Sequence, residues 1–130
     1  MTATNGDRVV MADMEAGLGT LSRMAKDLVD FVVVMTEPTA KAIEVAQRAV
    51  ALARERGVGQ VVVVANRVRN AENLEMVRKA LPDEEIIVVP EDPAIEAADR
   101  EAVAPIDAAP DSPGVQALAA VARRLLERVN

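Results

Sequence analysis

Three short runs of this chain are apolar at every position: Phe31-Val32-Val33-Val34-Met35, Val61-Val62-Val63-Val64-Ala65 and Ile86-Ile87-Val88-Val89. A strand with one wet face alternates apolar and polar side chains, whereas a strand covered on both faces does not. The runs are also rich in β-branched residues, which suit a pleated surface better than a helix. They are therefore expected as central strands of a parallel sheet. Val9-Val10-Met11-Ala12 is a shorter fourth candidate.

Helical spacing fills the intervals between them. Leu18, Leu21, Ser22, Ala25 and Leu28 fall on one helical face after the first candidate strand. From Thr39 to Arg56, Ile43, Ala46, Val50 and Ala53 line one stripe, with Lys41, Glu44, Arg48 and Glu55 elsewhere. Thr39 suits the N-cap of that helix and Gly57 its left-handed stop. A third helix is expected over 70–81, ended by Pro82, and a short one begins at Asp92-Pro93, where proline fits the first turn. Residues 102–113 contain Pro105, Pro110 and Pro113 and read as a loop. A last helix over 114–129 carries Val115, Leu118, Ala119, Ala122, Leu125 and Leu126 as its apolar stripe.

The expected fold class is α/β. A parallel sheet of about four strands carries crossover helices on one face and the C-terminal helix on the opposite face, in a single domain over 1–130 with a flexible leader at 1–7. If the strands lie in sequence order, the crossover helices share one face, and one helix is too little for the other. A homodimer or a protein partner is therefore expected over the exposed sheet face or the first-strand edge.

Composition excludes several functions. At 130 residues and 51% apolar, the chain is long enough to bury a core. No apolar stretch approaches bilayer-spanning length, and the polar start lacks the pattern of a signal peptide. A cytoplasmic protein without membrane attachment is expected. Cysteine and histidine are absent, which removes disulfides, a nickel or zinc thiolate site, a cysteine nucleophile and the commonest general base. A net charge of −6 and a single aromatic residue, Phe31, argue against a nucleic-acid partner. On the last helix Arg123, Arg124 and Arg128 occupy the polar side while alanine dominates the apolar side. Membrane-surface helices need bulkier apolar residues, so this one is expected to pack against protein.

Four segments follow one another in order: Asp13-Met14-Glu15-Ala16-Gly17-Leu18, Thr36-Glu37-Pro38-Thr39, Ala65-Asn66-Arg67-Val68 and Val89-Pro90-Glu91-Asp92-Pro93-Ala94-Ile95. Together they resemble the C-terminal part of the carbon-monoxide-dehydrogenase maturation ATPases (CooC type), within the MinD/ParA/Mrp group of dimeric P-loop ATPases. The resemblance implies a Rossmann-like P-loop NTPase fold and a set of roles. Asp13 would be the Walker B acid, holding Mg²⁺ through water, a task for hard oxygen ligands. Gly17 would be the switch glycine whose N–H meets the γ-phosphate. Asn66 would bond the adenine edge, and Pro90, Glu91 and Asp92 would pack on the base. Arg67 flanks that base site and could meet phosphate. Plain structural roles stand beside each of these. Asp13 fits a helix N-cap, Glu15 a first-turn position favourable to the helix dipole, and Asn66 a turn. Pro90 and Pro93 fit the end of a strand and the start of a helix, and Arg67 and Arg69 fit a solvated loop.

The departures from the family pattern are large. The motif G-x-x-x-x-G-K-[ST] occurs nowhere in the 130 residues, and the cysteine pair used for nickel is missing. In the family a P-loop strand lies between the Walker B strand and the next, so its loss leaves a gap or forces those two to pair. Most affinity for a nucleoside triphosphate comes from contacts to phosphate and Mg²⁺. The expectation is a degenerate member without catalysis, acting as a binding or assembly module, that binds ATP or ADP with Mg²⁺ weakly or not at all. The alternatives are a split ATPase, completed by a P-loop strand from another polypeptide, and a truncated ATP-binding metallochaperone.

Overall fold

The computed structural model describes residues 8–14 and 18–129. Its elements are α1 (Leu18–Leu21), β1 (Phe31–Thr36), α2 (Ala40–Arg56), β2 (Gln60–Val68), α3 (Ala71–Ala80), β3 (Ile86–Pro90), α4 (Pro93–Arg100), α5 (Pro105–Ala108) and α6 (Pro113–Val129). The three apolar runs are the three strands. They form one parallel sheet in the order β1-β2-β3, with Val32 opposite Val61 and Val63 opposite Ile86.

Successive side chains of a strand point to opposite faces. On one face Val32, Val34, Val61, Val63 and Ala65 join Ile43, Ala46, Val50 and Ala53 of α2 and Val77 of α3 in one buried cluster. On the other face Val62, Val64 and Val89 are buried too. This is why β2 is apolar at consecutive positions. The second face is covered by α6, which packs on β3 and runs antiparallel to it. Its first turn is fixed at Asp92, just after β3, through the Gly114 N–H. Further along, Arg124 donates from Nε and Nη2 to Glu85, just before β3, at 2.6 and 2.8 Å. The same guanidinium lies 5.4 Å from the Phe31 ring centroid, so the only aromatic ring of the chain helps seat the last helix.

The capping chemistry follows the residues chosen for it. The Thr39 hydroxyl accepts from the Ala42 N–H at 3.2 Å at the start of α2. Gly57, at φ 62°, ends α2 by donating to the carbonyls of Ala53 and Arg54. At α3, Asn70 accepts from the Asn73 N–H, and Asn73 accepts in return from the Arg69 N–H. Reciprocal bonds of this type satisfy donors that the first helical turn leaves free.

Several expectations are corrected. Val9-Val10-Met11-Ala12 is not a strand: Val9, Val10 and Met11 are 66%, 70% and 80% exposed. A β-branched run needs a ladder partner, and among the described residues the outer edge of β1 has none. The segment therefore does not pair directly with β1. The helix expected through Leu28 stops at Leu21, and turns carry the chain to β1. There the Ser22 hydroxyl bonds back to the Gly19 carbonyl, a local bond that competes with helix, and Asp27 adopts φ 56°. The proline-rich stretch 102–113 contains one helical turn, α5, opened by Pro105. The leader at 1–7, together with Glu15 and Gly17, lies outside the described residues. On the face that carries α6, Val33 and Met35 of β1 are 36% and 53% exposed.

A Cβ at Gly57 would sit 3.2 Å from Cγ of Lys26 on a left-handed backbone. Gly57→Ala is expected to lower stability by about 1 kcal/mol. Urea denaturation checks this as a shifted midpoint with an unchanged slope.

Candidate functional site

Parallel strands end on the same side of a sheet, and open α/β folds place ligands beyond those ends. Here Glu37 follows β1, Asn66 and Arg67 lie near the end of β2, and Pro90 closes β3 ahead of Glu91 and Asp92. The end of β2 is irregular. Ala65 pairs with Val88 and Val68 with Pro90, so β2 has one residue more than β3 across that interval. The extra residue makes a bulge, and Arg67 within it takes φ 59°. A side chain in that region costs on the order of 1–2 kcal/mol, which the surroundings must offset.

The surroundings of Arg67 are acidic. Its guanidinium lies 3.5 Å from Glu37, 3.5 Å from Glu91 and 3.7 Å from Glu96 of α4. Arg69 meets the other oxygen of Glu91 at 2.7 Å. One arginine thus links the ends of β1 and β3 to α4. These groups are largely open to water, so each pair contributes only about 0–1 kcal/mol. The count of charges matters more: two guanidiniums face three carboxylates, and the rim they form is net negative. Beside it lies an open groove of about 380 Å³, lined by Arg67, Ile95, Glu96, Asp99, Val103 and Pro105. That volume is at the small end of ligand pockets, and the lining mixes apolar and charged side chains.

Asp92 has a different task. It is buried and caps α4, accepting from the Ala94 N–H at 2.9 Å and from the Gly114 N–H of α6 at 2.8 Å. One carboxylate therefore serves the N-termini of two helices, where unpaired N–H groups and the helix dipoles favour negative charge. Those bonds, that of Gly114 first, hold the Asp92 carboxyl below its usual range. A Cβ on Gly114 would approach Cδ1 of Ile95 to 2.6 Å and Cβ of Asp92 to 2.8 Å, so the close junction requires glycine.

The structure groups Asn66, Arg67, Pro90, Glu91 and Asp92 at the strand ends. The N–H of Glu91 donates to the Val68 carbonyl at 3.0 Å, which fastens the loop after β3 to β2. Asp13 is exposed in coil, next to Met14, which packs against the core. Among the described residues no hydrogen bond or ion pair joins Asp13 to that group. Gly17 lies outside the described residues. Sequence reasoning missed Glu37 and Glu96 as partners of Arg67, and the cap formed by Asp92. An aspartate directly before a first-turn proline is a signal for such a cap. Among the described residues no group of three or more Asp or Glu side chains is placed to hold a metal ion. No helix among them is long and apolar enough to cross a membrane.

Comparison with known proteins agrees with this architecture. No family model matches the chain. It is 37% identical over 78 residues to an uncharacterised ATP-binding protein of Methanocaldococcus jannaschii, covering 60% of this chain and 30% of that protein. It is 28% identical over 108 residues to the carbon monoxide dehydrogenase accessory protein CooC of Rhodospirillum rubrum, covering 82% of this chain and 41% of that protein. Among solved structures, the cell division protein MinD of Aquifex aeolicus superposes with a TM-score of 0.62 at 25% identity, over 76% of this chain and 44% of that one. The chain spans less than half the length of the relatives it matches. The fold is Rossmann-like and P-loop-like, and the chain is distantly homologous to the MinD/ParA/CooC-like P-loop ATPases.

The lowered pKa of Asp92 fixes the sign of an acid dependence. Its stabilisation is fully present above the ordinary carboxylate pKa of about 3.9 and is lost as pH falls through the lower folded value. Asp92→Ala is expected to lower the melting temperature by several degrees near neutrality and to flatten its fall below about pH 4. Thermal melts of both proteins across acidic pH check this.

Proposed function

We propose that this chain, a distant homologue of the MinD/ParA/CooC-like P-loop ATPases, is a non-catalytic binding or assembly module of that fold. The observation that carries this reading is the charge balance at the strand ends. Arg67 and Arg69, the cations nearest the expected nucleotide position, already face Glu37, Glu91 and Glu96. A triphosphate brought there meets more carboxylate than guanidinium. Phosphoryl transfer depends on preorganised positive charge around the transferring group. Asp13 is a single exposed carboxylate. These residues do not fit a Mg²⁺-triphosphate, and we assign no hydrolytic step to them. Asn66 and the groove beside Arg67 could hold a base alone, at an affinity of about millimolar. The chain has no cysteine with which to carry nickel. On this reading the module works in the cytoplasm through a protein surface.

A second reading has its own support. Val9, Val10 and Met11 are exposed just before Asp13, and the β1 edge is unpaired among the described residues. A strand from another polypeptide, bringing a phosphate-binding loop, would complete a split ATPase.

Titration calorimetry of the 130-residue chain with Mg-ATP and Mg-ADP, repeated with Asp13→Ala, tests the module reading. The module reading expects no binding tighter than about millimolar and no difference between the proteins. Micromolar binding that weakens in Asp13→Ala would sink it.

A further inference from the structure

Among the described residues three that are not glycine take a left-handed backbone, Asp27, Arg67 and Ala102, and two of these border the groove beside α4. Arg67, at φ 59°, lines it. Ala102, at φ 56°, stands where a helix end usually places glycine. It turns the chain so that the Val103 N–H donates back to the Ala98 carbonyl at 2.9 Å. Val103 and Pro105 join the lining directly after that turn. Ile95 of α4 is fixed from the side of α6, because a Cβ on Gly114 would meet its Cδ1 at 2.6 Å. Every lining residue lies between 67 and 105, and none belongs to β1. The fold thus gives the groove a set shape, and a preformed site spends little binding energy on ordering.

Its chemistry is both acidic and apolar. Glu96 and Asp99 are three residues apart on α4, which makes them neighbours on one helical face. Arg67 alone among the lining residues is cationic, and it is already shared by Glu37, Glu91 and Glu96. Among the described residues Asp99 makes no ion pair. Apolar surface continues beside these acids: Val103 is 40% exposed and Ile106 of α5 is 64% exposed. We propose that this groove docks an extended segment of a protein partner carrying an arginine next to a large aliphatic side chain. The guanidinium goes to Asp99 and Glu96, since its planar fork suits carboxylates. The aliphatic side chain goes to Ile95, Val103 and Ile106. Charge complementarity selects this occupant. An acidic segment would bring its charge against Glu96 and Asp99, and a small cation would leave the apolar surface uncovered. The inference rests on the binding-module reading above and names its surface and the chemistry of its partner.

Methyl NMR of the 130-residue chain tests this with defined probes. The blocked dipeptide acetyl-arginyl-leucine amide is expected to shift the methyl resonances of Ile95 and Val103 saturably. Its dissociation constant should be about 1–10 mM, as suits a small fragment of a partner. Asp99→Asn is nearly isosteric at an exposed position. It should raise that constant at least about threefold with an unchanged urea midpoint, and so should salt raised from about 0.05 M to about 0.3 M. Glu96→Gln should act in the same direction. Acetyl-glutamyl-leucine amide should give no saturable shift, and ethylguanidinium, which lacks the leucine, should bind more weakly than the arginyl dipeptide. No saturable shift up to about 50 mM, equal shifts from the acidic dipeptide, or a constant indifferent to Asp99→Asn would overturn the docking. Ethylguanidinium binding as tightly as the dipeptide would overturn the protein partner in favour of a small organic cation. None of these outcomes bears on nucleotide affinity, and tight nucleotide binding would overturn the non-catalytic reading without touching these titrations.

Discussion

A strand buried on both faces requires a layer on each side, and β2 imposes that requirement on this chain. Val61 and Val63 need α2 and α3, while Val62 and Val64 need cover from the opposite direction. Burying a valine side chain contributes roughly 1.5–3 kcal/mol, so neither face can be left wet without losing much of a domain's net stability. The second layer is α6, and two polar devices hold it over β3. At one end the Asp92 carboxylate binds the Gly114 N–H, and at the other Arg124 is held bidentate by Glu85 against the Phe31 ring. Between them α6 packs on β3.

The same devices connect the back of the sheet to the groove at the strand ends. Asp92 caps α4 as well as binding α6, and α4 supplies Ile95, Glu96 and Asp99 to the groove. The position of the groove wall therefore depends on how α6 is seated. Arg67 adds a second connection, since its left-handed backbone points one guanidinium among carboxylates from three parts of the chain. Strain of this kind persists only where surrounding contacts over-determine it, and such positions concentrate at functional sites. Here those contacts also pair the cation with carboxylates from three parts of the chain.

The sequence was most legible where one residue type has one physical use. The unbroken apolar runs became strands because only doubly covered strands dispense with alternation. Thr39 and Gly57 marked the ends of α2 because a hydroxyl cap and a left-handed stop are each met by few residues. The Val9–Ala12 run misled because strand propensity describes fit to a sheet and says nothing about whether a neighbouring strand is present. The helix expected through Leu28 had the right spacing, but Ser22 and Asp27 settle into local turns that spacing does not register. At the site, Asn66, Arg67, Pro90, Glu91 and Asp92 lie near the strand ends, whereas Asp13 lies in exposed coil. The partners of Arg67 were hidden because ion pairs across different elements leave no periodic trace. Its left-handed conformation was hidden because arginine is not a residue that signals one.

The two surfaces that remain after the core is built have opposite physical character. The rim at the strand ends is charged and wet, and its pairs are screened over a Debye length of about 8 Å at physiological salt. On β1, by contrast, the partly exposed side chains Val33 and Met35 are apolar, and salt does not screen them. A ligand at the rim must displace Glu37, Glu91 or Glu96 from an arginine before gaining any contact with it. Salt therefore acts first on the rim, where Arg67 and Arg69 are held by Glu37, Glu91 and Glu96.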